Sequence, residues 1–162
     1  MTAGKTYVPI ATTTLGSAAA SYTFSSIPAT YTDLVLVIGG GVSAGMNLGL
    51  QFNGDTATNY SDTLLYGTGS AAGSSRDTTQ AQIRAASAGG AQDIAVVVHI
   101  MNYANTTTYK SALVRANTPA YMTILYAGLW RSTAAINAVK VTPDSANLTS
   151  GTVLTLYGIL AA

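Results

Sequence analysis

Hydrophobic and polar residues alternate with a period of two along residues 46–53, where Met46, Leu48, Leu50 and Phe52 are separated by Asn47, Gly49, Gln51 and Asn53. Successive side chains of a β-strand point to opposite faces, so this pattern predicts a strand with one dry face. The same alternation sets Ala18, Ala20, Tyr22 and Phe24 against Ala19, Ser21 and Thr23, and Ala81, Ile83 and Ala85 against Gln80, Gln82 and Arg84. Residues 34–38, 94–101, 121–130 and 152–160 are apolar at both parities and rich in Val, Ile, Leu and Tyr. They predict central strands covered on both sides, one side by the core and the other by a loop, an arm or a partner subunit. Residues 109–115 and 136–141 complete the set, the latter with a parity break that predicts a bulge.

Turn-forming residues punctuate these runs at Ile27-Pro28, Asn53-Gly54-Asp55, the Gly/Ser-rich stretch 67–75, Ala88-Gly89-Gly90, Thr118-Pro119, Pro143-Asp144 and Ser150-Gly151. Residues 59–66 read as a short helical turn; no longer segment has helical periodicity. The expected fold is therefore all-β, an antiparallel β-sandwich, jelly-roll-like, with roughly eight to ten strands. One domain spans 1–162, without internal repeats. Residues 1–11 are expected to leave the body as an extended N-terminal arm, in which Pro9 favours an extended backbone that presents Tyr7, Val8 and Ile10 to a neighbour.

Charge is scarce. Charged residues make up 8% of the 162 and hydrophobic ones 48%, against about 25% charged in ordinary soluble domains. All six acids are Asp, and the formal net charge is +1. A surface built from Thr, Ser, Asn, Gln, Gly and Ala repels its neighbours weakly, which points to association with other subunits. The basic residues Lys5, Arg76, Arg84, Lys110, Arg115, Arg131 and Lys140 are scattered along the chain, so nucleic-acid binding gains no support. No apolar run approaches the roughly 20 residues of a membrane-spanning helix, and no secretory leader is expected. There is no Cys, hence no disulfide framework and no thiolate metal site.

Several motifs match chemistry by spelling and fail on context. Gly39, Gly41 and Ala44 fit a dinucleotide-binding fingerprint, but that motif must open a helix, and a strand pattern follows it here. Gly41-Val42-Ser43-Ala44-Gly45 fits a hydrolase nucleophile elbow and lacks the same helix. His99, the one histidine, could complete a triad with Ser43 and Asp62, Asp77 or Asp93, yet its parity mates Ala95, Val97 and Met101 mark it as a packed strand residue. Asp55 and Asp62 are the available carboxyl pair for glycoside hydrolysis, although Asp55 in Asn53-Gly54-Asp55 reads as turn chemistry. No calcium-loop pattern is present. No enzyme activity, cofactor or metal is expected. Among the aromatics, Tyr22, Tyr126, Trp130 and Tyr157 are expected to fill the core. Tyr7, Tyr103 and Tyr109, near segment ends, are the better subunit contacts.

The segments "LWRSTAAI" (129–136) and "NYANTTTYK" (102–110), with "FNGDTATNYSDTLLYGTGS" and "TLYGI", resemble small virion proteins of cyanophages and other tailed phages along nearly the whole chain. The resemblance implies a virion structural component and brings no catalytic residue with it. A capsid decoration or cement protein follows as the expectation: it would sit on the outer surface of the capsid, bind the major capsid protein, and associate with itself as a homotrimer or homodimer. The alternative is a tail-fibre or receptor-binding module on the tail that holds host surface glycans through exposed Tyr and Asn.

Overall fold

The structure, a computed structural model, describes residues 6–160. Twelve strands and no helix make up those residues: β1 (Tyr7–Thr14), β2 (Tyr22–Phe24), β3 (Asp33–Val42), β4 (Met46–Phe52), β5 (Tyr60–Gly67), β6 (Ala72–Gln80), β7 (Ile83–Ala88), β8 (Gln92–Met101), β9 (Lys110–Thr118), β10 (Met122–Trp130), β11 (Val139–Pro143) and β12 (Val153–Ile159). They form an antiparallel β-sandwich. One sheet has eight strands in the order β1-β12-β3-β8-β9-β10-β5-β6, and the other has four in the order β2-β11-β4-β7.

The chain passes back and forth between the sheets, except where β5–β6 and β8–β9–β10 stay in the large one. The hairpins β5–β6 and β9–β10 thus add a contiguous half, β9-β10-β5-β6, to the large sheet. Between the sheets, Leu34, Leu36 and Ile38 of β3 and Val96, Val98 and Ile100 of β8 bury their side chains with Leu48, Leu50 and Phe52 of β4 and Val139 and Val141 of β11. Each such side chain contributes about 1.5–3 kcal/mol by leaving water. Close approach of the small sheet to the added half depends on Gly128, where a Cβ would stand 2.4 Å from Ile83 Cγ2. A buried ion pair makes the second tie: Asp62 of β5 accepts from Arg84 Nε of β7 at 3.0 Å and from the Arg84 amide at 3.1 Å.

The structure corrects four local expectations. Residues 7–11 do not leave the body; they lie in β1, which pairs with β12 from Tyr7↔Ile159 to Thr14↔Val153. Pro9 is tolerated because β1 is an edge strand and shifts register between Pro9 and Ala11. Residues 1–5 of the expected arm lie outside the described residues. Residues 59–66 are not a helical turn but enter β5, in which Asp62 is buried because Arg84 neutralises it. With β1 and β5, a third strand without a sequence pattern raises the count to twelve: β6 starts within the Gly/Ser-rich stretch, where neither face is dry and no alternation is visible. The parity break in 136–141 is the start of β11 rather than a bulge: Ile136 is anchored before the strand by its amide on the Tyr103 carbonyl at 2.9 Å.

Candidate functional site

Strand geometry sends alternate residues of the large sheet away from the core, and register decides which of them meet. One row across the sheet aligns Tyr157, Val35, His99, Leu113, Ala127 and Thr63; the next aligns Thr155, Val37, Val97, Arg115, Leu125 and Leu65. This face is apolar and, among the described residues, uncovered. Val37 is 37% exposed, Leu125 48%, Leu113 51% and Leu65 57%. Between the strands runs a trough of about 420 Å³ lined by Thr63, Leu65, Val97, His99, Leu113, Arg115, Leu125 and Ala127, with Val114 and Tyr126. The three leucines all stand on the added strands β5, β9 and β10.

Two polar features interrupt the apolar surface. Arg115 is exposed between Val97 and Leu125 and forms no ion pair within the described residues. His99 Nε2 lies 2.9 Å from Asp33 Oδ2, a diagonal neighbour that follows from the Val35↔His99 pairing. Asp33 Oδ1 in turn accepts from the Asn102 amide at 2.7 Å, holding the turn after β8, where Asn102 adopts φ of 51°.

The subunit contacts expected from sequence do not gather into one site. Tyr7 is exposed at the β1 edge, edge-on to Tyr157 with ring centroids 6.1 Å apart. Pro9 is exposed beside it, whereas Val8 and Ile10 are partly buried and Ile10 packs on the core. Tyr109 is exposed just before β9. Tyr103 is corrected: it is fully buried, with its hydroxyl donating to the Pro28 carbonyl and accepting from the Tyr31 amide at 3.4 Å. Burial raises that hydroxyl's pKa. The loop after β8 folds back under the sandwich, which a position near a segment end does not reveal. Of the expected core aromatics, Tyr126 and Trp130 are buried and Tyr22 is partly so, while the register puts Tyr157 on the outer face.

No sequence motif marks Val37, Leu65, Leu113, Leu125 or Arg115 one by one. The signal for Val37 and Leu125 lay in runs that are apolar at both parities, a pattern that demands a covered second face.

The motifs that spell catalysis are engaged structurally. Ser43 follows Val42, which pairs with Gln92, while His99 pairs with Val35 at the far end of the same ladder. At about 3.3 Å per residue, Ser43 and His99 stand roughly 25 Å apart. Ser43 Oγ accepts from the Asn147 amide at 3.0 Å. The glycine run is a seat for the chain before β12: a Cβ on Gly40 would lie 2.4 Å from Thr152 Oγ1, and the Thr149 amide donates to the Gly41 carbonyl at 2.9 Å. Asp55 accepts from Trp130 Nε1 at 2.7 Å, from the Ala57 amide at 2.9 Å and from Asn59 Nδ2 at 3.0 Å. The Asn59 and Trp130 hydrogen bonds hold its carboxyl below the ordinary 3.8 despite partial desolvation. Asp62 is sealed beneath Arg84. Among the described residues, no three His, Asp or Glu side chains converge as metal ligands.

No family model matches the chain, and no curated protein matches it. Among solved structures it is similar to a mutant of the alginate lyase Aly36B in complex with alginate tetrasaccharide, at 12% identity and a TM-score of 0.29, over 93% of this chain and 81% of that one. At that TM-score the likeness carries no argument.

Proposed function

We propose that this chain is a structural component of a phage particle, a capsid decoration or cement protein that performs no chemistry and docks on the major capsid protein through the outer face of its large sheet. The virion assignment rests on the sequence resemblance, and the docking face rests on geometry. One observation carries the latter: Leu65, Leu113 and Leu125 stand half-exposed in adjacent rows around the unpaired Arg115. A leucine that goes from half-exposed to dry contributes about 1 kcal/mol, half of the full-burial value, so the three supply about 3 kcal/mol before ordering costs. Arg115 asks the partner for a carboxylate or carbonyl at the centre of an otherwise aliphatic patch. A protein that binds the assembled shell and not its dissociated subunits stabilises the shell by mass action.

We read the sandwich as a jelly roll widened by two hairpins. With β5–β6 and β9–β10 set aside, the order is β1-β12-β3-β8 facing β2-β11-β4-β7, as two interleaved Greek keys would give. On this reading the hairpins added to the common frame carry the docking leucines. The exposed aromatics Tyr7, Tyr109 and Tyr121 sit at separate margins of the large sheet, and the trough walls are mainly aliphatic, with Thr63, His99 and Arg115 as the polar exceptions, which favours a protein partner over a sugar.

Co-sedimentation with purified capsids tests the proposal. The wild-type chain should bind saturably, and Leu113→Asp with Leu125→Asp should weaken binding more than about tenfold, because each aspartate would be buried against an apolar partner. Equal binding by the variant, or particle density for the chain confined to the tail, overturns it.

A further inference from the structure

Among the described residues both sheets end in open edges, β1 and β6 in the large sheet and β2 and β7 in the small one. An edge strand presents unpaired N–H and C=O groups to any other strand, and folded proteins blunt such edges. Three of these edges are blunted. β2 is three residues long. β1 carries Pro9, which has no N–H, and a register shift beside it. β7 is short and commits the amide of Arg84 to Asp62 Oδ2.

β6 is the least blunted of the four: its bulge falls at one end, between Asp77 and Gln80, and its charges are Arg76 and Asp77 alone. It runs for nine residues, A-G-S-S-R-D-T-T-Q, without proline. From Ala72 to Asp77 it keeps an unbroken register with β5, the irregularity falling only beyond Asp62↔Asp77. Asp77 is already matched by Arg84 Nη2 at 2.9 Å, which leaves Arg76 as its one unpaired charge among the described residues.

We propose that β6 pairs antiparallel with β6 of a second copy about a two-fold axis at Ser75. A two-fold between edge strands stands perpendicular to the sheet, so it keeps each face on its own side and must pass through a residue of the strand. An axis at Arg76 sets that guanidinium against its own symmetry mate, and one at Asp77 sets two carboxylates together; like charges directly opposite are destabilising. An axis at Ser75 sets Arg76 opposite Ser74 and Asp77 opposite Gly73 of the second copy. Residues 73–77 of both copies then pair within the regular part of the strand with no like charges directly opposite, the two Arg76 side chains standing only as diagonal neighbours about 7–8 Å apart.

A second copy suits this edge better than a foreign peptide. Strand addition is selected by pockets for alternate side chains, and β6 offers only small and polar side chains, on a molecule whose net charge of +1 repels a copy of itself weakly. The pairing joins two eight-stranded sheets edge to edge and sets both leucine troughs on one continuous side. It does not depend on what that side docks against.

The cysteine-free chain makes the test direct. Directly opposite residues of an antiparallel pair have Cα atoms about 4.5–5.5 Å apart, within disulfide reach. At about 50 μM, wild type should have a dimer's mass by light scattering, and Ser75→Cys should convert to disulfide-linked dimer under mild oxidation. Ala11→Cys on the β1 edge should not. Ser75→Lys should be a monomer whose unfolding midpoint equals that of wild type diluted until it too is monomeric. Leu113→Asp with Leu125→Asp should stay dimeric, so loss of docking and loss of dimer are separable. A monomeric wild type, a dimer that persists in Ser75→Lys, absence of cross-linking by the Ser75→Cys thiol, or a monomeric Leu113→Asp, Leu125→Asp variant overturns the proposal.

Discussion

Replacing Asp62 by Asn probes the contact that fastens the added half of the large sheet to the small one. The Asp62 side chain is wholly buried and that of Arg84 is 18% exposed. Asp62 Oδ1 accepts from Arg84 Nε at 3.0 Å and Nη2 at 2.5 Å, and Oδ2 accepts from the Arg84 amide at 3.1 Å. Asn keeps the shape and one acceptor, but its amide turns a donor toward a donor. Removing one partner of a buried pair costs about 3–5 kcal/mol. Asp77 still stands 2.9 Å from Arg84 Nη2, so the lower end applies, about 3 kcal/mol. With a urea slope of about 2 kcal/mol per molar, the unfolding midpoint should drop by about 1.5 M. Thermal unfolding should fall by about 6–12 °C. The double variant Asp62→Leu, Arg84→Met, which leaves no buried charge and strands only the half-exposed Asp77, should recover most of that loss. A drop below about 1 kcal/mol in Asp62→Asn, or a double variant no more stable than the single one, would refute the reasoning.

Two further outcomes follow from ionisation. Burial pushes the hydroxyls of Tyr60 and Tyr126 up from 10.0 to about 12; the folded values lie above the unfolded one, so their contribution to stability is complete below pH 10.0 and is lost as pH rises toward 12. Absorbance titration of the ten tyrosines should therefore leave Tyr60 and Tyr126 un-ionised until unfolding, with the buried Tyr103 displaced in the same direction, and ionisation of all ten in a native-like protein near pH 10 counts against the buried placement. At the acid end, hydrogen bonds from Asn59 and then Trp130 depress Asp55 below 3.8, so its contribution is present above about pH 4 and lost as pH falls through the folded value. The stability gap between wild type and Asp55→Asn, measured by denaturant unfolding, should shrink on acidification; a gap that stays constant excludes this role for Asp55.

How much was legible from the chain depended on whether a strand has one dry face. β4 was plain because Met46, Leu48, Leu50 and Phe52 all enter the core, and β3, β8, β10 and β12 were plain because each contains a run that is apolar at both parities. β6 was invisible: an overhanging edge strand is wet on both sides and needs no periodicity. β5 was misread because a buried Asp breaks the apolar pattern, and the Arg84 that permits it lies 22 residues away. Tyr103 was misplaced for a similar reason, since the Pro28 carbonyl that receives its hydroxyl comes from a loop 75 residues earlier.

The apolar second face was foreseeable in kind, because Val35, Val37, Val97 and Leu125 fall at the wrong parity for a half-wet strand. Side-chain alternation is a property of a few consecutive residues, so the chain alone determined that it forms antiparallel strands around one dry interior, with scant charge outside. Which strands become neighbours is set by hydrogen-bonded pairing between segments far apart in sequence. Only the folded sheet brings Leu65, Leu113 and Leu125 into adjacent rows around Arg115, buries the tyrosine that looked like a contact, and leaves β6 as the least blunted edge.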